Sequence, residues 1–268
     1  MLIPPSELSI DAYHSSAPQW LSKSSILDFK KQGPQWWNMR YMLGIIPKYE
    51  PTDAMEQGNA LDCMLTEPEG AFYAKYVIKP QGMNFSTKEG KLWKEKNECK
   101  EIIKDEDYKI LMEAVEAVKM NPIWHLIDSS KKQCTLRRQT NLGFGFQSRP
   151  DFIADNIYID LKKTCNLETF GRDAINFGYH YQAALADFCA ADGGLHFEKY
   201  LLAVCEWERG ARFRVFEIPQ RAIDAARIEL VTIAQEISDR LKSGNWEDVQ
   251  LEPQPLEIPT YLMKRLES

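Results

Sequence analysis

The chain has 268 residues, 44% of them hydrophobic and 11% aromatic, enough to build a substantial core and to exclude a disordered polymer. No apolar run approaches the roughly 20 residues needed to cross a bilayer, and the acids and prolines of Met1 to Tyr13 do not form a secretory leader, so a cytosolic protein is expected. The formal net charge of −6 argues against a general nucleic-acid binder, yet permits a locally basic channel.

Residues 1–20, containing prolines and serines, read as an irregular extension of one continuous α/β domain spanning 1–268. Ser24-Ser25 can cap a short helix running to Lys31, which Gly33-Pro34 ends. Gln35 to Leu43 starts another helix, with Trp36 and Trp37 as packing residues. Thr52 or Asp53 caps a helix to Thr66, closed by Pro68, with Met55, Gly58, Asp62 and Leu65 on one face. Gly58 weakens that helix by about 1 kcal/mol relative to Ala, so close approach of another backbone is expected there. On spacing alone Asp62 is either a surface aspartate or a site residue.

Residues 84–100 read as a polar loop followed by a helix. Asp105 to Met120 is amphipathic, with Leu111, Ala114, Val115 and Val118 inward. Three basic clusters could line a groove: Lys30-Lys31, Lys88 to Lys104, and Lys131-Lys132 with Arg137-Arg138. Solvated faces are the competing reading, favoured for Lys88 to Lys104 by its interspersed acids.

Gln147 to Ala154 and Ile157 to Lys163 then favour extended structure. Asp155 and Asn156 between them tolerate the positive φ of a two-residue hairpin loop. That loop pairs Asp151 with Asp160 and Arg149 with Lys162. It projects Asp160 and Lys162 on one face and turns Leu161 into the core. Facing carboxylates repel across a ladder. A hard divalent ion such as Mg²⁺, keeping positions for water or phosphate, would relieve them, and a neighbouring lysine could stabilise phosphate charge. A solvated hairpin balanced by Arg149, Lys162 and Lys163 explains the same residues, and spacing alone does not decide.

A long helix is expected from about Arg172 to Ala190, carrying Tyr179, Gln182 and Ala183. Strands at Tyr200 to Glu206 and Arg212 to Ile218 follow, joined by Arg209-Gly210. A helix from about Gln220 to Lys242 leads into a tail with Trp246, Pro253, Pro255 and Pro259. Other chemistries find little support. The six cysteines form no C-x-x-C pair and the four histidines show no ligand spacing, so the cysteines read as reduced and structural. No G-x-S-x-G elbow, Walker loop or G-x-G-x-x-G fingerprint occurs.

Pro150-Asp151, an eight-residue interval, then Asp160-Leu161-Lys162 resembles the PD-(D/E)XK nuclease motif. Leu21 to Phe29 with Gly33 to Trp37 resembles the N-terminal segment of RecE-type exonucleases, the nuclease domain of exodeoxyribonuclease VIII. Gly58 to Leu65 resembles that family's metal-site helix, and Tyr179-His-Tyr-Gln-Ala-Ala184 its glutamine-bearing helix. Gly244 to Trp246 and Leu256 to Pro259 are similar to its C-terminal end. The resemblance covers roughly residues 20–260.

It implies a restriction-endonuclease-like core, a mixed central sheet flanked by helices. It also implies a phosphodiester hydrolase that digests linear double-stranded DNA 5′ to 3′ in phage-type recombination, for a single-strand annealing partner. Asp151, Asp160 and the Leu161 carbonyl would bind Mg²⁺, or Mn²⁺ in its place. Lys162 would activate water, and Gln182 would support the site and contact DNA. Asp62 stands where the family has a histidine, which leaves the number of ions open. Arg149, Lys163 and Tyr179 would meet DNA, with Lys23, Ser24 and Ser25 near a 5′ phosphate. A homo-oligomer is implied. The alternatives are an endonuclease or single-strand nuclease on the same fold, or a catalytically weak DNA-binding protein.

Overall fold

The computed structural model describes residues 1–47, 50–207 and 211–248. The expected Arg209-Gly210 connection, Pro253, Pro255 and the Leu256 to Pro259 similarity lie outside the described residues. From the N-terminus come β1 (Leu2–Ile3), α1 (Ile10–His14), β2 (Trp20–Leu21), α2 (Lys23–Gln32), α3 (Pro34–Trp37), a π-helical turn at Asn38–Met42, and α4 (Asp53–Thr66). Next are α5 (Ala71–Lys75), β3 (Tyr76–Lys79), α6 (Lys88–Lys96), β4 (Glu101–Lys104), α7 (Asp105–Met120) and α8 (Trp124–Ser129). The rest are β5 (Lys131–Lys132), β6 (Thr135–Gln139), β7 (Gly145–Ser148), β8 (Phe152–Ala154), β9 (Ile157–Thr164), α9 (Phe170–Asn176), α10 (Tyr179–Ala191), β10 (Lys199–Glu206), β11 (Phe213–Glu217) and α11 (Gln220–Ser243).

The strands form mixed sheets flanked by helices. One has the order β11-β10-β9-β8-β5, a second β1-β6-β7-β2, and β3 pairs with β4. In the five-stranded sheet β8 and β9 are antiparallel, β9 and β10 parallel, and β10 and β11 antiparallel. The parallel step carries α9 and α10 as its crossover, as parallel neighbours require.

The hairpin forms in the expected register, Phe152 opposite Ile159, Ile153 opposite Tyr158 and Ala154 opposite Ile157, with Asp155 at φ 49°. Its first arm is not one strand, however. The chain leaves the four-stranded sheet at Ser148 and enters the five-stranded sheet at Phe152. Pro150 lies in between and cannot donate to a ladder. Side chains of the five-stranded sheet alternate between two cores. Tyr158, Leu202 and Val204 pack among α2, α10 and α11. Ile159, Leu161, Ala203 and Cys205 pack with Leu61 and Leu65 of α4 and Leu111 and Val115 of α7.

Other sequence expectations change as well. Residues 1–20 are not wholly irregular: β1 pairs with β6, Met1 donates its terminal ammonium to the Arg137 carbonyl at 2.7 Å, and α1 and β2 follow. The edges of the four-stranded sheet recruit strands too short to show a period. The single helix from Arg172 to Ala190 is two, broken at Gly178, where φ is +69°. A Cβ there would lie 2.6 Å from Leu27 Cδ1, so both backbone and packing require glycine. At Gly58, by contrast, a Cβ would meet nothing within 4 Å, so its role is not close backbone approach. Cys63, Cys134, Cys189 and Cys205 are buried in the cores. No helix among the described residues is long and apolar enough to cross a membrane.

Candidate active site

Three helices and the hairpin converge on a cleft of about 490 Å³ lined by Lys23, Gly58, Asp62, Gln133, Asp151, Lys162, Lys163 and Gln182, among others. Each approach has a local cause. Thr52 accepts from Met55 N–H to start α4, and Asp53 and Glu56 in its first turn suit the positive end of the helix dipole. Two and a half turns on, Asp62 sits between the core residues Leu61 and Cys63, so their burial aims it outward into the cleft. Ser22 and Ser25 cap α2 reciprocally and fix Lys23 at its first position. Gly178 bends the chain so that α10 begins at Tyr179 and presents Gln182 to β9.

The expected pairing of Asp151 with Asp160 does not form, and the two acids serve different neighbours. Pairing stops at Phe152, and Asp151 Oδ2 instead accepts the Leu161 N–H at 2.6 Å. Asp160 is 1% exposed; its Oδ1 accepts from Tyr158 Oη at 3.0 Å and from Gln182 Nε2 at 2.7 Å. Lys162 forms an ion pair with Asp160 Oδ2, and its ammonium also donates to the Leu161 carbonyl at 3.2 Å.

Gln133 completes the inner wall. Its Nε2 donates to Asp62 Oδ1 and Oδ2 at 3.0 and 3.1 Å and to Asp151 Oδ1 at 3.0 Å. Sequence reasoning passed over this residue. Its arrival depends on the crossing from β5 to β6 at φ 52°, for which glutamine carries no signal.

Burial dominates the electrostatics. It pushes the Asp62 carboxyl up to about 8, with Asp151 adding to the rise and Lys162 and Gln133 opposing it. Burial raises Asp151 as well, against Lys162 and the Leu161 and Gln133 hydrogen bonds. It lowers Lys162, against the pull of Asp151 and Asp62, and brings Lys23 down to about 8, helped by Lys162. The two ammoniums share a platform: Lys162 Nζ lies 4.9 Å from the Tyr179 ring centroid and Lys23 Nζ 5.7 Å.

The remaining expected residues divide. Lys163 lines the cleft with its ammonium 5.4 Å from the Trp207 ring centroid, and Ser24 is exposed at its rim. Ser25 is buried, its hydroxyl donating to the Ser22 carbonyl and accepting the Ser22 N–H, both at 2.9 Å, so it braces α2. Arg149 does not pair with Lys162. At the bend between sheets it is 8% exposed, donates to Thr135 Oγ1 at 2.8 Å and to the Leu8 carbonyl, and covers the Tyr13 ring. It therefore tethers the N-terminal segment, although its side chain still touches the cleft wall. Several basic clusters are also committed: Arg137 to Gln147 and Ser16, Arg138 to Asp192, and Lys30 to Glu229.

Among the described residues no group of three or more His, Cys, Asp or Glu side chains is close enough to hold an ion. The donor set nevertheless fits a hard divalent cation. Oxygens of two half-buried carboxylates converge on the one point taken by Gln133 Nε2, and the Leu161 carbonyl and Asp160 converge on the Lys162 ammonium. Hydrogen-bond donors thus fill the positions where positive charge is wanted. A larger hollow of about 810 Å³ along α11 lacks this convergence; there Glu236 and Arg240 pair with each other at 2.9 Å.

No family model matches the sequence, and no curated protein matches it. Among solved structures the chain is similar to a protein of Eubacterium rectale described as a "Putative exonuclease", with a TM-score of 0.63 and 15% identity. The similarity covers 96% of this chain and 97% of that one. At that identity the two share a fold.

Proposed function

We propose that the protein is a metal-dependent exodeoxyribonuclease with a PD-(D/E)XK core of the RecE type, acting on the ends of linear double-stranded DNA. The observation that carries this reading is the convergence of Asp62, Asp151 and Lys162 on one cleft, from the hairpin and a separate helix, with Asp160 buried behind Lys162 and paired with it. The full-length fold similarity to a protein described as a "Putative exonuclease" supports it. Digestion from 5′ to 3′, a phage-type recombination role, an annealing partner and a homo-oligomer follow from the sequence resemblance and belong to the same proposal.

Asp62, Asp151, Asp160 and the Leu161 carbonyl would hold Mg²⁺ or Mn²⁺. When bound, the ion supplies Lewis acidity and lowers the pKa of a coordinated water. Lys162 lies at the cleft wall against Asp160 and the Leu161 carbonyl. With those oxygens given to an ion, its ammonium would turn to a phosphate entering the site and offset charge developing on it. Gln182 and Tyr158 fix the Asp160 carboxylate. Lys23 places a second cation across the Tyr179 ring. Lys163 lines the cleft and is positioned for a neighbouring phosphate.

The test uses linear duplex DNA with a 5′ phosphate in Mg²⁺, comparing wild type with Asp160→Asn and Lys162→Ala. Wild type is expected to release nucleotides from 5′ ends, and each variant to lose the activity. Equal behaviour of all three proteins would remove the catalytic reading, and cleavage of closed circles would mark an endonuclease instead.

A further inference from the structure

Three hydrogen bonds at the inner end of the cleft meet on one atom, Gln133 Nε2, and bind two acids from different elements. The nitrogen belongs there, because the amide oxygen would set its lone pairs against those of both carboxylates. The backbone holds the residue deliberately. Gln133 lies between β5 and β6 at φ 52°, in the left-handed region that costs a non-glycine residue about 1–2 kcal/mol. Its N–H donates to the Asp151 carbonyl at 2.9 Å, so Gln133 and Asp151 are tied at main chain and side chain alike.

An amide nitrogen and a divalent cation compete for the same oxygens, and both cannot occupy one point. The terminal torsion of glutamine is soft and roughly two-fold, and turning it over exchanges a donor for an acceptor at the same reach. Glutamine carbonyls are ordinary ligands of hard cations. We propose that Gln133 is the positioning residue of the cation site. Without an ion its amide N–H groups hold Asp62 and Asp151 together, and on loading the amide turns over and offers its oxygen. The inference rests on the metal-dependent reading above and adds a residue with two alternating roles to it.

The experiment is Mn²⁺ binding without DNA, followed by the electron paramagnetic resonance of free Mn²⁺, on wild type, Gln133→Glu, Gln133→Leu and Asp62→Asn. Gln133→Glu adds a carboxylate beside Asp62 and Asp151. It is expected to bind Mn²⁺ about tenfold or more tightly than wild type, and to melt at a lower temperature than wild type in chelator. Gln133→Leu keeps the bulk without either polar atom and is expected to bind about tenfold or more weakly. Equal Mn²⁺ affinity in wild type and both Gln133 variants, with Asp62→Asn weakened, overturns the proposal and leaves the cation site standing. Absence of Mn²⁺ binding to wild type overturns both together. If Gln133→Leu does not fold, the affinity of Gln133→Glu decides alone: tighter supports the proposal, unchanged overturns it.

Discussion

Asp62 lies in a setting that resists its charge, and stability should report this. Its folded-state pKa of about 8 lies above the ordinary 3.8, so the folded protein holds a proton that the unfolded chain has released. The corresponding stability is fully present below the ordinary value and is lost as pH rises through about 8. In chelator, the melting temperature of wild type should therefore fall between pH 5 and about 8 more steeply than that of Asp62→Asn. Parallel profiles for the two proteins would show that the carboxyl is solvated. The placement of Asp160 and Lys162 on one face was legible in the sequence because a two-residue loop and strand alternation dictate the register, while Asp151 lies just past its end and meets β9 through the Leu161 N–H. Asp62 was legible as a choice between two readings, since helical spacing places it on a face without saying what that face meets. Arg149 misled because the register was extended through Pro150, whose missing N–H already argued for a break.

Glycines separate the elements that need a bend from those that need room. Gly178→Ala combines a left-handed φ with a Cβ 2.6 Å from Leu27 Cδ1, and should cost about 2–4 kcal/mol in urea denaturation. Gly58→Ala meets open space inside α4, so removing helix glycine should stabilise by about 0.5–1 kcal/mol. That methyl would enter the cleft, and DNA turnover is expected to fall while stability rises. If both substitutions change stability in the same direction, this division of roles is wrong. The strong helical periods of α7 and α11 and the capped start of α4 were readable because their local signals agree with their tertiary packing. The break between α9 and α10 was marked by Gly178 and overridden by an otherwise continuous helical composition. The strands β1, β2 and β5 have two residues each, too few for any period to exist, and are defined by their pairing with β6, β7 and β8.

At the scale of the whole molecule, the acidic balance of −6 and the internal commitments of Arg137, Arg138 and Arg149 leave little general attraction for DNA. Recognition on this reading falls to the few cations of the cleft. The two cores meet across the five-stranded sheet. Asp62 is anchored through Leu61 and Cys63 in one, and Gln182 through Tyr181 and Ala183 in the other. The cleft thus works as a vernier between two packed layers: a small slip of one against the other separates Asp62 from its partners while each layer keeps its secondary structure. Rising urea should abolish DNA hydrolysis, and the Mn²⁺ affinity of the cleft, at a lower concentration than the circular-dichroism midpoint. Coincident midpoints would mean that the layers part only when the protein unfolds.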